Sequence, residues 1–250
     1  MRQTLKRALP SAAVRRLRTV DVSLRYSARV AFHKLREPRE SVFRHIYQQD
    51  MWGGGSGGGS DLEQTQTLRA RLPALARELH VHSVLDAPCG DYRWMSEVDW
   101  DLDSYVGVDI VPELIEHNQA QYQADGVTFL QADITRDRLP RADLVLVRDC
   151  LVHLSNRDIA RALRTLEASG STYLLTTTYP GAVRRNWNIA SGWWRTLDLQ
   201  RPPFNFPAPE RIINEQTTHE FDRPSKSLGL WRFEDLPLPE KHLPWASTGR

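Results

Sequence analysis

The sequence is poor in cysteine, lacks long apolar runs and lacks the glycine spacings that grip phosphates. Cys89 and Cys150 are its 2 cysteines in 250 residues. Two thiols build neither a disulfide framework nor a four-cysteine zinc site, and a reducing, cytoplasmic setting is the expectation. No stretch of 18 apolar residues occurs, which excludes a spanning helix. Acids are scarce at one end only. Residues 1–40 hold eleven Lys or Arg against Asp21, Glu37 and Glu40, a net +8; the whole chain carries +2, so residues 41–250 carry −6.

This asymmetry predicts a basic helical arm over residues 1–50, attached to a mildly acidic body over 51–250. Leu17, Val20 and Leu24 recur at helical spacing among Arg15, Arg16, Arg18 and Arg25. Three readings of the arm stand: a solvated amphipathic helix, a patch for an acidic partner or membrane surface, and a targeting peptide. No aromatic residue interleaves with the arginines before Tyr26, which disfavours nucleic-acid stacking. Hydrophobic residues (40%) and charged residues (26%) are in ordinary proportion for one globular domain with an extra segment. Residues 53–60 read Gly-Gly-Gly-Ser-Gly-Gly-Gly-Ser, either a flexible linker or a ligand-gripping loop with Asp61 capping the next helix.

From residue 61 onward strands and helices alternate. Helical patterns cover 61–79 (with Pro73 as a kink or break), 112–122 and 156–168, the last capped by Ser155. Apolar strand runs cover 83–89, 105–110, 127–133, 142–149 and 171–179, with two more near 211–214 and 228–233. Such alternation predicts a mostly parallel, doubly covered α/β sheet. Ligands of these sheets sit beyond the carboxyl ends of the strands. Those ends carry Asp86 and Asp91, Asp109, Asp133, and Arg148-Asp149. A rim of acids suits a ligand with hydroxyls and positive charge. Gly90 stands alone where Gly-x-Gly-x-x-Gly would bind a pyrophosphate, and no Walker A motif exists, so NAD and nucleoside triphosphates are disfavoured.

Val84-Leu-Asp-Ala-Pro-Cys-Gly-Asp91, Val106-Gly-Val-Asp-Ile110, Gln131-Ala-Asp-Ile134 and Leu144-Val-Leu-Val-Arg-Asp-Cys150 with Leu151-Val-His-Leu154 follow one another in order. Together they resemble the motifs of class I S-adenosylmethionine-dependent methyltransferases. Asp86 to Met95, Arg148 to Ser155 and Pro202 to Pro207 resemble a bacterial subgroup in which a Trp-Gly, Gly/Ser-rich, Gln-Thr segment precedes the core. The resemblance implies a Rossmann-like methyltransferase fold, a seven-stranded, mostly parallel sheet with helices on both faces, and S-adenosylmethionine as cofactor. It implies cofactor contacts from Asp86, Pro88, Gly90 and Asp91 in the first loop. Asp109 with Ile110 would meet the ribose, Asp133 with Ile134 the adenine, and Arg148 the fourth-strand end. Trp52 and Trp94 would close the pocket. Asp109 also lies 23 residues after Asp86, the spacing at which an acid meets ribose hydroxyls.

His153, four residues past Asp149, is the catalytic candidate. A hydroxyl is a poor nucleophile until its proton leaves, and imidazole titrates near the working pH. Asp149 would orient His153 or act in its place. The alternative is a half-buried histidine bonded to a neighbouring loop. Residues 180–210 form an aromatic, amide-rich insertion, and Trp187, Trp193, Arg195 and Asn205 are its candidate acceptor contacts. The expected activity is methyl transfer to a small-molecule hydroxyl, on a saccharide or specialised metabolite. The alternatives are N-methylation of an amine or protein, and a non-catalytic cofactor-binding module anchored through the arm. No Asn-Pro-Pro-Tyr-like motif stands at Arg148–Leu151, which counts against amino methylation of bases. No side-chain spacing demands a metal.

Overall fold

The computed structural model describes residues 38–53, 55–218 and 226–238. The arm readings for residues 1–37 lie outside these. The described chain begins with helix α1 (Arg39–Gln48). A Gly/Ser-rich segment then leads to α2 (Gln66–Glu78). Next come β1 (Ser83–Asp86), β2 (Ser104–Asp109), α3 (Pro112–Tyr122), β3 (Val127–Gln131) and β4 (Leu144–Val147). α4 (Asn156–Ala168), β5 (Tyr173–Thr178), β6 (Arg211–Asn214) and β7 (Ser227–Arg232) complete the order.

The seven strands form one sheet in the order β3-β2-β1-β4-β5-β7-β6. The first five run parallel, while β7 pairs antiparallel with β5 and with β6. This is the Rossmann-like methyltransferase topology. Strand side chains alternate between two cores, as a period of two requires. Leu85, Val145, Val147 and Leu174 pack with Ile159, Leu163 and Leu166 of α4. Val84, Leu144, Leu146 and Leu175 pack on the other face with Leu68, Leu72 and Leu75 of α2 and Ile115 of α3. α4 starts where Ser155 Oγ accepts from the Asp158 N–H at 3.1 Å.

Two local expectations change. Pro73 does not break α2, which runs through it; the proline is buried in the helix's packed face. Asp61 does not cap this helix. Its carbonyl instead accepts from Thr65 N and Oγ, each at 3.0 Å, in a turn before the helix begins.

The order reverses between β1 and β4, because β2 and β3 lie on one side and β5 on the other. The two strands stay paired, and the loops that leave their carboxyl ends part to form a crevice there. Asp86 and Asp109 end β1 and β2, and Asp133 and Asp149 lie just past β3 and β4, which puts the acids on the rim.

Candidate active site

A cleft opens at that rim. Pro88, Gly90, Trp94, Ile110 and Ile134 line it, as do Asp86, Asp109, Asp133, Arg148, Asp149 and His153. From the N-terminal side come Arg39, Phe43 and Tyr47 of α1, then Trp52, Gly55, Ser56 and Ser60. The glycine-rich segment is therefore part of the cleft wall.

Its glycines are needed for contact. Ser56 Oγ accepts from the Asp91 N–H at 2.7 Å. Gly90 is left-handed (φ 56°), and a Cβ there would run into Ser56 Oγ. A Cβ on Gly59 would stand 3.1 Å from Asp149 Oδ2. Arg148 donates to the Gly59 carbonyl at 2.7 Å, to Glu215 Oε2 at 2.8 Å, and lies 5.2 Å over the Trp94 ring.

The four acids of the rim differ in charge state. Asp109 is buried, which pushes its carboxyl up to about 6, although Val111 N–H (2.9 Å) and Gly90 N–H (3.2 Å) donate to it. Asp86 is buried and pushed up to about 7 despite the Tyr105 hydroxyl at 2.6 Å and the charge of Arg148. Asp133 is also raised by burial, but the hydrogen bonds of Arg39 and Thr135 outweigh this and hold it below its ordinary value. At Asp149 burial is overcome by Lys226 Nζ at 2.8 Å and by Arg148, and the carboxyl lies far below the carboxylate range. Asp149 also adopts a left-handed backbone (φ 49°), a costly conformation of the kind that clusters at functional sites.

His153 has its Nδ1 2.9 Å from the Trp193 carbonyl oxygen. Enclosure of the ring lowers its pKa to about 4, against the opposing pull of Asp149 and of that carbonyl. A carbonyl only accepts, so neutral His153 carries its proton on Nδ1. Nε2, across the ring, keeps its lone pair. Trp52 packs on this imidazole, ring centres 4.7 Å apart, and Phe43 packs on Trp52 at 6.2 Å. Burial raises both cleft thiols, Cys89 and Cys150, so they stay protonated.

Residues 84–169 match a protein family described as a methyltransferase domain. The chain is similar to the solved N-methyltransferase NodS from Bradyrhizobium japonicum, at 16% identity over 68% of this chain and 93% of that one, TM-score 0.49. It is similar to the methyltransferase domain of bacterial CtHen1, at 16% identity and TM-score 0.42, over 46% of this chain. It spans just under two thirds of that structure, 66%. It is also similar to the magnesium protoporphyrin IX methyltransferase of Synechocystis solved with bound S-adenosylhomocysteine, at 13% identity over 58% of this chain and 74% of that one, TM-score 0.44. No curated protein sequence matches.

The cleft fits S-adenosylmethionine, the cofactor of the proteins this chain resembles. Two enclosed carboxylates, Asp86 and Asp109, sit at pKa values raised by burial, and the cofactor is a hydroxylated cation whose charge would offset that burial. The walls between them are apolar (Ile110, Leu114, Ile134). Among the described residues no group of three or more His, Cys, Asp or Glu is arranged to hold a metal, and no helix is long and apolar enough to cross a membrane.

Not every expected site residue reaches the cleft. Asp91 does not line it; its N–H holds Ser56 and its Oδ1 accepts from Arg93 N at 3.3 Å. Trp187, Trp193, Arg195 and Asn205 are all outside the lining. Trp187 is 53% exposed. Asn205 occupies a left-handed turn (φ 51°). Arg195 is fully buried, and its guanidinium donates to the Leu154 carbonyl at 2.7 Å and to Asn156 Oδ1 at 3.1 Å, so it staples the insertion to the start of α4. Trp193 serves through its backbone carbonyl. Asp149 is not the hydrogen-bond partner that orients His153, because that bond goes to Trp193.

Sequence reasoning missed Arg39, Phe43, Tyr47, Lys226 and Glu215. For α1 a signal existed: Val42, Phe43, Ile46 and Tyr47 share one helical face, but the charge pattern assigns residues 1–50 to a basic arm attached to the body. Glu215 and Lys226 flank the β6–β7 connection with no local sign that they meet Arg148 and Asp149.

Proposed function

We propose that this domain transfers a methyl group from S-adenosylmethionine to a hydroxyl of a small-molecule acceptor, with His153 taking the acceptor's proton. The observation that carries the reading is the 2.9 Å contact of His153 Nδ1 with the Trp193 carbonyl on the cleft wall: a carbonyl only accepts, so a neutral ring holds its proton on Nδ1 and its lone pair on Nε2. When bound, the cofactor would supply an electrophilic methyl on a sulfonium, which a nucleophile takes in line as the thioether leaves with the C–S electron pair.

Asp109 is the group to accept from the ribose hydroxyls, and Asp86 the counter-charge for the cationic end of the ligand. Gly90 lets the backbone approach closely. Ile110 and Ile134 provide apolar contact for the base, while Arg148 positions the strap through Gly59. On the acceptor side the hydroxyl proton passes to His153 Nε2. The ionised Asp149 stabilises the resulting imidazolium. A base of low pKa suffices, because an oxygen that is gaining a methyl makes its proton strongly acidic as the bond forms. Trp52 offers a flat apolar face beside the base, suited to a sugar ring or another hydroxylated ring.

The test is turnover of His153→Ala and His153→Gln on hydroxyl and amine acceptors, with S-adenosylhomocysteine binding measured alongside. Cofactor-product affinity should stay within about twofold, and turnover on hydroxyls should fall roughly 10²–10⁴-fold. Undiminished turnover on a hydroxyl acceptor refutes the assignment. A neutral amine needs no base, so full activity on amines alone would move the domain to N-methylation.

A further inference from the structure

Asp133 stands where the sequence predicts an acceptor for the adenine amino group, yet its carboxylate is full. Oδ1 accepts from Thr135 N at 2.9 Å and from Thr135 Oγ at 2.8 Å. Oδ2 accepts from Arg39 Nη2 at 2.8 Å and Nε at 3.1 Å. A carboxylate offers about four lone-pair sites, and four donors already take them. Arg136 Nε adds charge at 3.4 Å. Arg39 also reaches Asp158 Oδ1 at 3.2 Å with its third nitrogen, so one planar fork bridges the end of β3 and the first turn of α4.

The same arginine sits in the first turn of α1. Ile46 of that helix is fully buried, Phe43 and Tyr47 line the cleft, and Arg44 and Gln48 hold Glu113 Oε1 at 2.6 and 2.9 Å. α1 is thus a wall of the cofactor cleft, fastened at one end by Glu113 and at the other by Asp133. The Asp133 pair is the stronger fastening, being bidentate and largely shielded from solvent, whereas the Glu113 contacts are exposed.

We infer that Asp133 holds Arg39 rather than the cofactor's adenine amino group, so that Arg39 is a positioning residue for cofactor binding and the cleft is tolerant of change at the purine 6-position. This rests on the proposed cofactor reading. It puts a determinant of cofactor affinity outside residues 84–169, on the segment that the charge pattern assigned to the arm.

The experiment is calorimetry with S-adenosylhomocysteine and with its analogue bearing hydrogen in place of the 6-amino group, on the wild type, Arg39→Ala, Arg39→Lys and Asp133→Asn. The wild type should bind both ligands within about threefold. Arg39→Ala and Asp133→Asn should each weaken both ligands about tenfold or more, and their double variant should lose no more than either alone. Arg39→Lys should not recover the loss, because a point charge cannot bridge Asp133 and Asp158 as a fork does. A tenfold or larger preference of the wild type for the amino ligand, abolished in Asp133→Asn, overturns the inference, and so does wild-type affinity in Arg39→Ala. The wild-type comparison needs no variant to fold. Failure of the wild type to bind either ligand overturns the cofactor reading itself.

Discussion

His153 Nδ1 and the carbonyl oxygen of Trp193 lie 2.9 Å apart, across 40 residues of chain. The contact joins the turn after β4 to the aromatic insertion and decides which ring nitrogen is free. Gly192 N–H donates to the His153 carbonyl at 2.8 Å, and Arg195 N–H to the Val152 carbonyl at 3.1 Å, so the insertion grips this turn on both sides. A tautomer is thereby set by backbone, which no side-chain substitution at Trp193 removes directly.

Turnover should therefore be insensitive to His153 protonation across the neutral range. The ring titrates near 4, so at saturating cofactor and acceptor the rate should not fall between about pH 8 and pH 5.5 through loss of this base. A kcat profile with an acid limb near pH 6.5, retained at saturating cofactor, would contradict the fixed neutral ring.

Cofactor affinity should rise with pH. Asp109 and Asp86 titrate near 6 and 7 in the unliganded cleft, and a cationic ligand favours their ionised forms. Binding should strengthen from about pH 5 to pH 8 and release protons, visible as a dependence of calorimetric heat on buffer ionisation enthalpy. Asp109→Asn should weaken binding and flatten the lower part of this rise. A pH-independent affinity would show that neither carboxylate faces the ligand's charge.

Removing the Asp86 charge should stabilise the unliganded protein while harming function. Its folded pKa lies above the unfolded value, so its contribution is present below about pH 4 and is lost as pH rises through about 7. At pH 8 Asp86→Asn, whose Oδ1 still accepts from Tyr105, should gain about 1 kcal/mol or more, a Tm rise of about 2–4 °C. Cofactor binding should weaken in the same variant. Thermal melts with and without S-adenosylhomocysteine check both signs. His153 acts oppositely: its lowered pKa adds stability as pH rises from about 4 through 6.5, so the two effects separate only in the variant comparison.

Arg195→Ala should behave as a packing lesion. It strands the Leu154 carbonyl and Asn156 and leaves a void at a fully buried position, a loss of about 3 kcal/mol. Denaturant unfolding should show it. The acceptor KM of whatever protein folds should stay at the wild-type value; a selective rise in KM would return Arg195 to the acceptor site.

Much of the frame was legible along the chain. Continuous apolar runs such as Leu144–Val147 and the 156–168 helix with its Ser155 cap are local patterns, and each appears where expected to within a few residues. The carboxylates Asp86, Asp109, Asp133 and Asp149 could be placed on one rim because a parallel sheet aligns all its strand ends. Their charge states could not. Asp109 and Asp133 read alike in sequence, yet one is raised by burial and the other lowered by an arginine 94 residues away.

The sequence by itself determined the alternating elements, the sheet they make and the acidic row along its edge, because those follow from hydrophobic periodicity and strand-end chemistry within short windows. Tertiary structure alone decided that Arg39 meets Asp133, that Lys226 neutralises Asp149, that Gly55, Ser56 and Ser60 line the cleft and that Arg195 serves packing. Those pairings depend on burial and on contacts between residues far apart in the chain, where desolvation and Coulomb energy are set by neighbours that local pattern does not name.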